Sequence, residues 1–321
     1  MNKPKVFLSR ELPAAVMERL QEEVELTVNP DDRVLSKQEI MEGIRGKDAL
    51  LCLLTDQIDR EVLSVNPDLK IVANYAVGYN NIDVQAATDM GISVSNTPGV
   101  LTETSADLAF SLMMAVSRRL VEADAYLRTG QWTGWGPLQF LGPDIYGATL
   151  GIVGLGRIGK AVAKRAKGFD MKIKYWNRTR LTAEEEQRKN WEYMPLDELL
   201  QKADFVSLHV AYTPETHHMI SQRELGLMKK GAVLINTSRG AVVDEKALVR
   251  ALEEGEIWGA GLDVFEHEPE VEKELLTMKN VVLLPHLGSA SFATRTKMGM
   301  MALENILAAC KGDPIPNLVT L

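Results

Sequence analysis

Residues 149–159, Thr-Leu-Gly-Ile-Val-Gly-Leu-Gly-Arg-Ile-Gly, constrain this chain more than any other stretch. An apolar run with strand character ends in Gly-x-Gly-x-x-Gly at Gly154, Gly156 and Gly159, and residues 160–166 continue with helical patterning. That order is what a dinucleotide pyrophosphate site requires. Gly154 permits the tight turn, Gly156 lets backbone N–H groups approach the phosphates, and Gly159 lets helix and strand pack closely. The helix N-terminus then favours the anion. Leu155, Arg157 and Ile158 complete the turn and count with the glycines as cofactor-binding candidates. About 150 residues precede the motif, enough for a second domain.

At 321 residues the chain exceeds one ordinary core, so two domains are expected. A net charge of −8 argues against non-specific nucleic-acid binding, which needs a basic surface. The two cysteines, Cys52 and Cys310, form no C-x-x-C and no metal-ligand spacing, which reads as reduced thiols and no metal site. No apolar run reaches the length of a membrane span, and the N-terminus runs straight into a strand pattern. A cytoplasmic protein is the expectation.

Short apolar runs alternate with helical patterns along the chain. The first set of strands is predicted at residues 6–9, 49–54, 71–74 and 93–95. The second is predicted at 149–153, 172–176, 205–209, 233–236, 257–263 and 281–284. Helices are predicted at 13–23, 37–44, 291–309 and, as one long element, 102–128. Between the two sets, Gly130–Pro137 breaks the rhythm. This order predicts an α/β fold of two doubly wound parallel-sheet domains, with ligands beyond the carboxyl ends of the strands.

The strand after the glycine turn ends in Asn177–Arg178–Thr179–Arg180, where a site built for NAD usually carries an acid for the ribose 2′-hydroxyl. A guanidinium fork suits a 2′-phosphate, so NADP(H) is preferred and NAD(H) is the alternative. A proton donor for carbonyl chemistry is most simply a histidine. Of the five, His217, His218 and His267 read as surface residues, whereas His209 and His286 both end strands, and position does not choose between them. Arg239 follows a strand and precedes Gly240, a suitable place for a cation that receives a substrate anion. Asp263, Glu266 and Glu268 follow another strand, and any of them could hold an imidazole.

Five segments in order resemble the D-isomer-specific 2-hydroxyacid dehydrogenase family: Asn96–Gly99, Gly154–Gly159, Asn236–Gly240, Gly261–Pro269 and Pro285–Ser289. The resemblance implies a flavodoxin-like substrate domain and a Rossmann cofactor domain. It implies that Arg239 binds the substrate carboxylate and polarises the carbonyl, that His286 is the general acid, and that Glu268 holds His286. It places His209, Thr237, Asp263 and Thr104 at the cofactor, with Asp263 near the carboxamide. Leu53 and the loop Tyr75–Gly78, including Ala76 and Val77, would receive the substrate carboxylate. Within the family, Ala76–Asp83 and Gly134–Leu138 are similar to glyoxylate/hydroxypyruvate reductases, in which the tryptophan matching Trp135 reaches the partner subunit's site. Tyr212 departs from the family pattern near the cofactor.

The resemblance therefore implies NADPH-dependent reduction of glyoxylate or hydroxypyruvate. Residues 1–98 with 290–321 would bind substrate, residues 99–289 would bind NAD(P), and a cleft would lie between them. A homodimer is expected, built on the helix at 102–128 and the loop that carries Trp135. The alternatives are another D-2-hydroxyacid or phosphite dehydrogenase, or a non-catalytic NAD(P)-sensing protein of the corepressor kind.

Overall fold

The computed structural model describes residues 3–320. Two compact units divide the chain: one takes the chain up to Leu101 and from Ser289 onward, the other is Thr102–Gly288.

The first unit is a five-stranded parallel sheet in the order β2-β1-β3-β4-β5. Its strands are β1 (Lys5–Leu8), β2 (Glu25–Val28), β3 (Ala49–Cys52), β4 (Ile71–Asn74) and β5 (Ser93–Ser95). Helices α1 (Ala14–Glu23), α2 (Lys37–Gly43), α3 (Arg60–Ser64) and α4 (Val84–Asp89) connect them. Short polar side chains start these helices: Ser36 and Glu39 form a capping box for α2, and Asp59 and Asp83 cap α3 and α4. Strands β3 and β4 are buried throughout, as a parallel sheet covered on both faces requires. The C-terminal helix, Phe292–Lys311, packs Met298, Ala302, Leu303 and Ile306 against Val6, Leu8, Leu51 and Ala73.

The second unit is a seven-stranded parallel sheet in the order β12-β11-β10-β9-β6-β7-β8. Its strands are β6 (Thr149–Val153), β7 (Lys172–Trp176), β8 (Trp191–Tyr193), β9 (Phe205–Leu208), β10 (Val233–Asn236), β11 (Gly259–Leu262) and β12 (Val281–Leu283). Its helices are α5 (Thr102–Ser117), α6 (Leu120–Arg128), α7 (Arg157–Ala166), α8 (Ala183–Lys189), α9 (Leu196–Lys202), α10 (Gln222–Leu227) and α11 (Glu245–Glu253). The strand β11, Gly-Ala-Gly-Leu, is small for a reason. A Cβ on Gly261 would stand 3.2 Å from both Leu112 and Val116 of α5. The order reverses between β6 and β9, and that switch point puts the ends of these two strands, Gly154 and His209, side by side.

The structure departs from the sequence reading in three places. Strands β2 and β8 are edge strands too short for a clear apolar run. The predicted helix over 102–128 is two helices, broken where Arg119 adopts a left-handed conformation (φ 49°). Ser117 Oγ donates back to the Met113 carbonyl at 2.7 Å, a bond that bends helices. The backbone at Gly142 also lies so close that a Cβ there would stand 1.9 Å from the Ser117 carbonyl oxygen.

The glycine turn gives a direct test of packing. A Cβ on Gly159 would fall 2.3 Å from the Gly154 carbonyl oxygen, whereas one on Gly156 meets nothing within 4 Å. Gly159→Ala is expected to cost about 1–3 kcal/mol in urea unfolding. Gly156→Ala should stay within about 0.5 kcal/mol of the parent protein.

Candidate active site

The glycine turn is built by its neighbours. Gly154 lies at φ 97°, and a Cβ there would strike the His209–Val210 backbone at 2.7 Å. Asn177 Oδ1 accepts the Leu155 N–H at 3.1 Å, and Asn177 Nδ2 donates to the Thr179 carbonyl at 2.8 Å. Both ends of the Asn177 amide therefore hold the turn and its own loop. Of the two guanidiniums beyond β7, Arg180 is locked by Glu186 at 2.7 Å and lies over the Tyr193 ring. Arg178 is exposed and makes no ion pair among the described residues. Thr237 Oγ1 is buried without a hydrogen-bond partner among the described residues. The glycine cradle, an orphaned hydroxyl and a loop free of carboxylate together fit a dinucleotide. When bound, its nicotinamide supplies or accepts a hydride.

Three strand ends of this same unit come together in the half of the sheet beyond β9. His286 follows β12, Glu268 lies beyond β11 and Arg239 follows β10. His286 Nδ1 and Glu268 Oε2 are 2.9 Å apart, and Glu268 Oε1 accepts the Phe265 N–H at 3.1 Å. Burial alone would raise the Glu268 carboxyl, but the hydrogen bond and charge of His286, the Phe265 N–H and Arg239 hold it below the usual glutamate value. Burial pushes the Arg239 guanidinium down, opposed by Glu268. Arg239 Nη1 donates to the Ser238 carbonyl at 2.7 Å.

The two histidines left open by position now differ in kind. Among the described residues His209 Nε2 pairs only with Ser207 Oγ, at 2.8 Å, and burial lowers the imidazole to about 4, so it is neutral at pH 7. His286 alone of the two faces a carboxylate. The three acids near β11 separate as well: Glu268 takes His286, Glu266 takes His218 at 2.6 Å, and Asp263 takes backbone. His218 is thus partly buried and paired, not the plain surface residue that its loop suggested. Tyr212 packs edge-on to His217.

Several supporting residues escaped the sequence reading. His286 has a left-handed backbone (φ 54°), unusual for a side chain other than glycine. Its N–H donates to the Asp263 carbonyl at 2.9 Å. The Asp263 carboxylate, 1% exposed, accepts the N–H groups of Leu287 at 2.6 Å and Gly288 at 2.8 Å. Ser105, next to Thr104 in the first turn of α5, donates from Oγ to the Gly288 carbonyl at 3.0 Å. Asn236 Nδ2 donates to the Arg239 carbonyl, and its Oδ1 accepts from Ser238. Buried Glu245 accepts the Glu266 N–H at 2.5 Å. A Cβ on Gly240 would fall 1.8 Å from the Phe265 backbone, so only glycine lets the Arg239 turn meet the Glu268 loop. The Asn236 bonds are local, within three residues; the other contacts have no spacing signal, because each joins segments remote in sequence.

In the first unit, the loop after β4 is also organised. Carbonyls of Ala76, Val77 and Gly78 accept from the Thr97 N–H, Asn96 Nδ2 and Asn74 Nδ2 at 2.9, 2.7 and 2.9 Å. No acceptor among the described residues takes the N–H groups of Ala76, Val77 or Gly78, which suits an anion. Asn81 Nδ2 reaches the Leu53 carbonyl at 3.1 Å and fixes that neighbouring loop. Trp135, in the second unit, is 83% exposed.

Burial raises the Asp263 carboxyl from 3.8 to about 6, although its N–H partners and the His286 charge oppose this. A raised acid stabilises the fold fully below its unfolded value, near pH 4, and loses that contribution as the pH climbs through about 6. The stability of the parent protein relative to Asp263→Asn should therefore fall by about 2–3 kcal/mol between pH 4 and pH 7. Urea titrations of both proteins at each pH test this, and a constant difference would contradict it.

Comparison with known proteins places this arrangement. The family model for the D-isomer specific 2-hydroxyacid dehydrogenase, NAD binding domain, matches residues 110–288. A glyoxylate reductase of Thermococcus litoralis is 53% identical over 321 residues, covering 99% of this chain and 97% of that protein. The crystal structure of the TT0316 protein from Thermus thermophilus superposes with a TM-score of 0.92 at 44% identity, covering 98% of this chain and 99% of that one. An NADPH-dependent glyoxylate/hydroxypyruvate reductase from Sinorhizobium meliloti, in complex with NADP and malonate, has a TM-score of 0.89 at 35% identity, covering 99% of this chain and 97% of that one. The chain belongs to the D-isomer-specific 2-hydroxyacid dehydrogenases, NAD(P)-dependent oxidoreductases.

Proposed function

We propose that this protein reduces glyoxylate and hydroxypyruvate with NADPH, and that the 2.9 Å His286–Glu268 pair beside Arg239 is its acid–base centre. Relatives at about half identity are glyoxylate reductases, and a solved relative of the same fold takes NADP, which supports the substrate class and the cofactor. Arg239 receives the substrate carboxylate and polarises the adjacent carbonyl. The Nδ1 of His286 is engaged by Glu268, so its Nε2 carries the proton to the carbonyl oxygen as negative charge develops there. Glu268 keeps the ring in that orientation and offsets the charge it carries. The free N–H groups at Ala76–Gly78 bind the carboxylate from the first unit, with Leu53 as an apolar wall.

NADPH preference rests on Arg178 and Thr179 at the end of β7, in a loop that carries no carboxylate of its own to repel a 2′-phosphate. Asn177 contributes by holding the turn. Thr104, Thr237, His209 and Asp263 line the cofactor side. The first unit takes the substrate role and the second the cofactor role. A second copy of the chain covers the apolar side chains Leu120, Val121, Leu127, Trp135 and Leu138, all more than half exposed in one chain, and Trp135 meets the partner's site.

Glyoxylate turnover with NADPH is the primary test. His286→Ala should lower kcat by about 10²–10⁴-fold, the range for a lost general acid. Tight NADPH binding without turnover in the parent protein would instead mark a cofactor sensor. Arg178→Ala should reduce kcat/KM with NADPH by about 10–100-fold, the worth of a charged hydrogen bond, and leave the value with NADH nearly unchanged. An equal loss with both cofactors would remove Arg178 from the specificity role.

A further inference from the structure

Outside this site, the second unit carries a groove of about 420 Å³ between α7 and the end of α8. Lys160, Lys164, Lys167, Arg188, Lys189 and Trp191 line it. Arg157, at the first position of α7, and Glu103 complete its lining. The charge is concentrated: a chain of net charge −8 gathers five cations here besides Arg157, which belongs to the glycine turn. The carboxylates nearest to hand are already used. Glu103 and Asp107 pair with Arg165 on the same helix, at 2.9 and 2.6 Å. None of the six cations makes an ion pair among the described residues. Lys160 and Lys164 stand four residues apart, and Lys164 and Lys167 three, so they share one helix face and repel one another.

A second observation points to a ligand. Trp191 is only 6% exposed, and its indole Nε1 is buried with no hydrogen-bond partner among the described residues. A buried donor left unmade is costly, and a ligand oxygen would relieve it. Lys189 Nζ lies 5.1 Å from the centre of that ring. The one aromatic side chain in the groove is therefore covered and offers no surface on which a base could stack, as a nucleic-acid groove would. The row from Lys160 to Lys167 is about 10 Å long at 1.5 Å per residue. A ligand that meets it must carry several closely spaced negative charges along a short line.

We propose that this groove binds a short linear phosphoanhydride chain, an oligophosphate, at a site separate from the dinucleotide pyrophosphate site. The phosphate oxygens lie along Lys160, Lys164 and Lys167. Arg188 and Lys189 flank them, Lys189 keeping its place over the ring, and the terminal phosphate accepts the Trp191 indole N–H.

Calorimetric titration of sodium tripolyphosphate into the full-length protein saturated with NADP⁺ tests this. Saturable binding is expected, weakening steeply between about 50 and 200 mM salt. Lys160→Ala with Lys164→Ala should weaken it by about tenfold or more, and charge reversal at both positions should weaken it further. Trp191→Phe, which keeps the ring and removes the donor, should cost about three- to tenfold. The lysine variants should keep the NADPH turnover of the parent protein, because neither residue touches that site. The proposal is overturned if no binding is seen, if NADP⁺ abolishes it, or if the lysine variants bind like the parent. Tighter binding of oligouridylate than of tripolyphosphate would also overturn it, in favour of a nucleic-acid surface.

Discussion

The grip of one buried aspartate, by its carbonyl and its carboxylate, on three consecutive backbone N–H groups organises the acid–base end of this molecule. Asp263 holds His286 through its carbonyl and holds Leu287 and Gly288 through its side chain. That grip keeps His286 in a left-handed conformation that an unrestrained histidine rarely adopts. The ring then stands where Glu268 can reach Nδ1. Burying a carboxylate is expensive, and the raised Asp263 acid records that cost, which two short N–H bonds offset in part.

The parallel sheet makes such a clamp available. Strands β10, β11 and β12 run side by side, so their carboxyl ends deliver Arg239, Asp263 and His286 to one edge. Close approach then matters more than side-chain bulk. A Cβ would break the contact of Gly240 with the Phe265 backbone and would crowd that of Gly261 with α5. The same logic governs the other side of the sheet, where Gly154 meets the His209 backbone at the switch point.

Much of this was legible in the residue order. The glycine turn, the alternation of strand and helix, and the strand-end positions of His286, Arg239 and Asp263 follow from local patterns. Periodicity and turn chemistry act over a few residues, so a single sequence displays them. Strands β2 and β8 were not legible, because Glu25 and Thr27 in one and Glu192 in the other interrupt any apolar run, and the neighbouring strand's open ladder fixes them instead. The break at Arg119 was hidden for a similar reason, since the segment that crowds Ser117 arrives from Gly142.

The sequence by itself determined that a dinucleotide site lies in mid-chain, that the sheets are parallel, and that no carboxylate follows β7. These depend on residue type and spacing alone. Only the tertiary structure decided which histidine faces an acid, and which acid it faces. Glu268, Glu266 and Asp263 sit within six residues of one another, yet take an imidazole, a different imidazole and backbone N–H groups respectively. It also decided that Arg180 is tied to Glu186 while Arg178 is left open, and that five cations besides Arg157 share one groove. Such pairings are settled by segments that chain folding brings together from far apart, and local sequence carries no record of the distance across that fold.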